Sequence, residues 1–150
     1  MIRVQEEAFD VGAELAALTA GRTDVGAVAS FVGLVRDLAG SERIAAMTLE
    51  HYPGMTEKKL AEIEAEAKAR WPLQASLIVH RYGRMEPGEP IVLVATASAH
   101  RAAALEACAF LIDWLKTRAP FWKLEETGGE ARWVAARDED DAAAARWQKR

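Results

Sequence analysis

Cysteine is almost missing from this chain: Cys108 is the only one among 150 residues. A lone thiol excludes an internal disulfide and any cysteine-rich metal site, and no metal or cofactor is expected. No apolar run approaches the roughly 18 residues of a membrane-spanning helix. The opening "MIRVQEEAFD" lacks the charged-then-apolar layout of a secretory leader, so a cytoplasmic protein is expected. Positive charge is not in excess. Nineteen Lys and Arg against 23 Asp and Glu leave a formal charge of −4. That balance gives no support to nucleic-acid or membrane-surface binding, and any anion site must be a local cluster. Glycine-rich dinucleotide and P-loop fingerprints are absent. So are internal repeats and linkers, and one domain over residues 1–150 is expected.

What is present reads as a folded chain, with 51% hydrophobic and 28% charged residues. "IRVQEE" is a strand and "VGAELAALTA" a short helix stopped by Gly21. "VGAVASFVGLVRD" alternates as a strand. On it Val28, Ser30, Val32, Leu34 and Arg36 share a face if no bulge intervenes. "LAGSE" reads as a loop and "RIAAMTLEHY" as a strand. "TEKKLAEIEAEAKARW" is a charged helix with Leu60, Ile63 and Ala67 as its apolar stripe. "ASLIVHRYGRM" is a strand, and "IVLVATAS" is apolar enough to be a central one. Ser98 is placed to cap a long helix over about 99–117, which Pro120 ends. "PFWKLEE" and "ARWVAA" form a hairpin across "TGG", and the "DEDD" tail reads as a solvated helix start. Helices interspersed among hairpin-like strands predict an α+β fold.

The stretch "LKTRAPFWK" carries Lys116 and Lys123 on either side of a proline. At helical spacing, Leu105, Ala109, Ile112 and Lys116 fall in one stripe, in line with the face expected to pack on a sheet. Two readings stay open for Lys116. Its stem packs while the ammonium reaches water, or it is partly desolvated and able to exchange a proton. The helix C-terminus opposes the second by favouring the charged form. Lys123 shares a strand face with Phe121, and Trp122 points the other way. With Arg101 and Arg118 the two lysines outnumber Glu106 and Asp113, a local cation surplus in an acidic chain.

"LEHYPGMTEKKLAEI", "SAHR", "LKTRAPFWK" and "FVGLVRD" together resemble the catalytic (large) subunit of molybdopterin synthase, over most of the chain. The resemblance implies an α/β-hammerhead-type core with an added antiparallel β subdomain. It implies a sulfurtransferase that converts cyclic pyranopterin monophosphate into molybdopterin by adding two sulfurs. The sulfur comes from the thiocarboxylate on the C-terminal glycine of a small ubiquitin-like partner. It also implies a homodimer carrying two small subunits, a heterotetramer. By the same resemblance, Lys116 and Lys123 are catalytic, and Lys123, Leu124 and Glu125 form a binding segment. Leu34, Val35 and Arg36 form a substrate-contacting strand end, and His100 and Arg101 a substrate-contacting pair. The rival readings are another acyl or sulfur transferase using the same anion site, and a non-catalytic scaffold that docks a ubiquitin-like carrier. Arg101 and Lys116 are 15 residues apart on one helix, about 22 Å along its axis. If both serve one site, they come from different copies of the chain.

Other reactive-looking residues read as structural. Cys108 lies mid-helix near Leu105, Ile112 and Leu115 in angle and reads as core. His51 belongs to the "HYPG" turn, since Glu50 beside it points to the opposite strand face. His80 reads as a locally satisfied strand residue. "DEDD" lacks calcium-loop spacing, and the five tryptophans fill cores and interfaces.

Overall fold

The computed structural model describes residues 1–39, 42–134 and 138–148. The first half runs β1 (Ile2–Gln5), α1 (Val11–Thr19), β2 (Ala27–Leu34), β3 (Leu38–Ala39), β4 (Glu42–Arg43), β5 (Ala46–His51) and α2 (Met55–Arg70). The second half runs β6 (Leu73–Arg81), β7 (Gly83–Met85), β8 (Pro90–Ser98), α3 (Arg101–Arg118), β9 (Phe121–Thr127), β10 (Glu130–Val134) and α4 (Asp138–Ala145). One sheet has the order β1-β6-β8-β2, parallel only between β1 and β6. A second, antiparallel sheet has the order β10-β9-β5-β7. The fold is therefore α+β, as the sequence pattern predicts.

Alternation along the strands of the first sheet divides its core. Leu77 and Val79 of β6 turn to the side of α1, with Leu15 and Leu18. Ile78 turns the other way and packs with Leu60, Ile63 and Ala67 of α2 and with Leu111 and Leu115 of α3. Each such valine, leucine or isoleucine, taken fully from water, contributes about 1.5–3 kcal/mol. β8 is central and almost wholly buried. A third cluster, Val35, Met47, Leu49, Met85 and Ile91, joins the two sheets.

The direction of α3 decides where chemistry can occur. Thr96 donates to the Ala104 carbonyl at 2.6 Å, and the Cys108 thiol approaches the Val94 carbonyl at 3.8 Å. The helix thus runs back along β8. His100 and Arg101 lie at the sheet edge where β8 ends and β2 begins. Lys116 lies at the opposite edge, where β8 begins and β6 and β2 end.

Several sequence expectations need correction. The buried face of α3 is Ala104, Ala107, Cys108, Leu111 and Leu115, one step round from the expected stripe, and Leu105 is 61% exposed. Packing by α2 and α4 as well as the sheet, through Phe110, Trp114 and Trp147, accounts for the rotation. Ser98 does not cap α3: its hydroxyl donates to the Pro72 carbonyl at 2.8 Å, and His100 occupies the cap position without a side-chain bond. β2 ends at Leu34. The register slips between Gly33 and Leu34, so Leu34 faces Pro90 while Ile91 is passed over. That bulge removes Arg36 from the common face expected of the strand. "ASLIVHRYGRM" breaks at Tyr82 into β6 and β7, which join different sheets, and Gly83 supplies the positive φ of 91° at the break. The strand expected over "RIAAMTLEHY" begins at Ala46. Part of the expected "LAGSE" loop is instead the short β3–β4 ladder; residues 40 and 41 of it lie outside the described residues, as do 135 and 136 of "ARWVAA".

Candidate active site

Lys116 leaves α3 in its last turn, and Pro120 starts the chain on β9, which carries Lys123 three residues later. The two lysines meet at one cavity of about 430 Å³. Its apolar wall is Leu49, Ile91, Leu115 and Phe121, with Trp122, half exposed, at its side. His80 from β6 and Asp140 from α4 also line it. Lys116 is exposed and Lys123 half-buried, so the two ammoniums border an apolar recess that stays open to solvent. Such a recess suits the end of an extended anionic chain: apolar walls take the stem and the cations its charged terminus.

The other cations are elsewhere. Arg118 turns back onto the Trp114 ring, 3.7 Å from its centroid. Arg36 is exposed and lines a separate hollow with Val35, Asp37, Pro87 and Gly88. Val35 itself is buried against Leu49 and Ile91, so this hollow and the lysine cavity share one apolar floor. Leu34 is exposed at the bulge. Leu124 and Glu125 pair with Trp133 and Arg132 on β10 and do not line the cavity. His100 and Arg101 are exposed at the far end of α3. One copy of the chain thus brings Lys116 and Lys123 together, sets Leu34–Arg36 nearby, and holds His100 and Arg101 apart.

Two histidines lie behind the cavity. His51 is tied into the turn that follows β5: its Nδ1 is 3.1 Å from the Thr56 hydroxyl, which itself donates to the Tyr52 carbonyl at 2.9 Å. His80 is 4% exposed, and its ring stacks on Phe121 at 3.7 Å. Burial, with the charges of Lys116, Lys123 and His51, pushes its imidazole from 6.5 down to about 3. Sequence reading missed His80 as a cavity residue. The available signal was the two-residue period of "LIVHR", which sets His80 on the face of Ile78, towards α3. Cys108 is buried beneath α3, and burial pushes its thiol up to about 11, which removes it as a nucleophile. Among the described residues no His, Cys, Asp and Glu group could hold a metal ion, and no helix is long and apolar enough to cross a membrane.

A family model described as "MoaE protein" matches residues 4–118. The chain is 59% identical over 148 residues to the molybdopterin synthase catalytic subunit of Pseudomonas aeruginosa, with 99% of each chain covered. Among solved structures, the molybdopterin biosynthesis MoaE protein from Burkholderia ambifaria is 56% identical, with a TM-score of 0.84 over 98% of this chain and 97% of that one. A protein–protein complex of subunits 1 and 2 of molybdopterin-converting factor from Helicobacter pylori has the same fold at 22% identity, with a TM-score of 0.76 and 91% of each chain covered. With such identity along nearly its whole length, the chain belongs to the family of molybdopterin synthase catalytic subunits.

Proposed function

We propose that this chain is the catalytic subunit of a cytoplasmic molybdopterin synthase. It transfers two sulfurs from the C-terminal thiocarboxylate of a small ubiquitin-like carrier to cyclic pyranopterin monophosphate. The observation that carries the reading is the meeting of Lys116 and Lys123 at one open, apolar-walled cavity. An extended C-terminal tail can enter it with its anionic end between the ammoniums. Lys116 stabilises the negative charge that builds on the acyl oxygen as sulfur transfers. Lys123 binds anionic groups of the reactants. A second, carrier subunit agrees with the Helicobacter pylori structure, which is a complex of two subunits.

The full site is composite. Arg101 and Lys116 are separated by about 22 Å of helix, more than a pterin with a cyclic phosphate can span. Strand β2 suggests how a second copy completes it. It is an edge strand with Val28, Phe31 and Leu34 exposed, apolar side chains on both faces of an open edge suited to self-association. Its start lies beside Ser98, next to His100 and Arg101, and its end leads to Val35 and Arg36. A two-fold axis across β2 would set the start of one strand against the end of the other. His100 and Arg101 of one copy would then approach Leu34–Arg36 of its partner, beside the lysine cavity. The deciding experiment mixes the purified protein with thiocarboxylated carrier and cyclic pyranopterin monophosphate and assays molybdopterin. Sustained product supports the reading, and docking of the carrier without product would reduce the chain to a scaffold.

A further inference from the structure

His80 differs in kind from the two lysines whose cavity it lines. Its Nδ1 lies 2.8 Å from the Arg81 carbonyl oxygen. A carbonyl only accepts, so Nδ1 carries the ring proton, and Nε2 of the neutral ring is left as a bare acceptor. No partner for Nε2 occurs among the described residues. The stack on Phe121, 3.7 Å between centroids at 15°, fixes the ring plane. Burial and the surrounding cations keep the ring uncharged at any working pH. The ring lines the same cavity as Lys116 and Lys123.

Ammoniums recognise anions. A neutral, fixed acceptor lining the same cavity recognises a hydrogen-bond donor, and the donor the reaction needs there is water. The inference rests on the function proposed above. Once the thiocarboxylate sulfur has bonded to the substrate carbon, carrier and substrate are joined through a thioester. We propose that His80 Nε2 accepts one O–H of the water that cleaves this thioester, and so turns a water lone pair towards the acyl carbon. The water oxygen bonds to that carbon, and the carbon–sulfur bond breaks with its electron pair passing to sulfur. A carboxylate remains on the carrier, a thiolate on the product, and two protons pass to solvent. Lys116 faces the oxyanion formed on the way. His80 orients the water and keeps no proton, which its permanent neutrality requires.

The test is a single-turnover mixture of protein, thiocarboxylated carrier and cyclic pyranopterin monophosphate, followed by intact-mass spectrometry. His80→Phe keeps the stack on Phe121 and loses both nitrogens. It is expected to accumulate the covalent carrier–substrate adduct and to release carrier carboxylate about a hundredfold more slowly, the lower end for one positioned acid–base group. His80→Gln, with an amide oxygen able to stand near the Nε2 position, is expected to recover part of the rate. If His80→Phe does not fold, His80→Asn takes its place, since it can retain the donor to Arg81 while lacking the Nε2 acceptor. Wild-type release by a folded variant overturns the assignment. So does loss of product without adduct, which places the defect before hydrolysis. Adduct with Asp140→Asn but not with His80→Phe also overturns it and gives the role to the carboxylate. A wild-type protein that forms no product overturns this inference together with the function beneath it, and is told apart by the wild-type control alone.

Discussion

The Phe121 ring of the second sheet lies flat on the His80 ring of the first, with centroids 3.7 Å apart and planes 15° apart. His51, paired with Phe121 across β5 and β9, continues the aromatic seam to Tyr82 at 4.4 Å. The seam closes the cavity floor where the sheets meet, and it needs an uncharged His80. In the folded chain this imidazole sits near 3, against 6.5 ordinarily. Below 6.5 the unfolded chain therefore binds the proton first, and stability falls as pH falls from 6.5 towards 3. Glu64 acts later. Burial raises its carboxyl, but the Met1 ammonium and the Ser76 hydroxyl outweigh this and hold it below 4.5. Urea unfolding between pH 7 and pH 5 should show a loss of up to about 1.4 kcal/mol per pH unit below 6.5. His80→Gln should flatten that slope.

The two lysines should separate by substitution. Lys116→Ala is expected to lower turnover about 10²–10³-fold, the cost of removing one oxyanion donor. Its side chain is exposed, so unfolding free energy should change by no more than about 1 kcal/mol, the scale of an exposed pair. Lys116→Arg should stay impaired, because the broad planar guanidinium cannot take the compact ammonium's place beside the acyl oxygen. Lys123→Arg should retain more activity, since anion binding needs only the charge and donors. Equal losses in a steady-state assay of the two arginine variants would contradict this division.

Gly26 marks the far edge of the sheet. Its N–H donates to the Ser98 carbonyl at 2.9 Å, and a Cβ there would stand 2.2 Å from the Ala99 carbonyl oxygen. That neighbour is backbone and cannot swing aside. Gly26→Ala should destabilise the fold by about 1–3 kcal/mol, read by denaturant unfolding. The strain falls next to His100 and Arg101 and not at the lysines, so carrier docking should survive in the folded fraction.

The elements with a strong period were legible in the sequence. The α2 stripe of Leu60, Ile63 and Ala67 and the buried β8 appear as read, because one face or a whole strand was committed to the core. The α3 face was misjudged because helical spacing fixes which residues share a stripe, but not which stripe is buried when three elements compete for the helix. The bulge at Gly33/Leu34 and the break at Tyr82 were illegible for a related reason. Both are set by partner strands, and a single strand's alternation does not encode them. At the cavity, the resemblance supplied Lys116 and Lys123 while local reading left both undecided. His80 was passed over because its role depends on α3 crossing above it, a contact between elements far apart in sequence.

Complementation tests the separation of Arg101 from Lys116. The two residues serve opposite edges of the first sheet, so no bending of one helix brings them to one pterin. If the site is composite, a homodimer has two sites, each with Lys116 from one copy and Arg101 from the other. A dimer of Lys116→Ala with Arg101→Ala chains then holds one site with both lesions and one with neither. Each variant alone should be nearly inactive. Chains carrying different affinity tags, mixed, refolded together and purified through both tags, should regain up to about half the activity of a wild-type dimer, by that symmetry. Mixed dimers that form and stay inactive would show that Arg101 and Lys116 do not meet across the two-fold. The site would then be confined to the lysine cavity of one copy, and Arg101 would have no part in it.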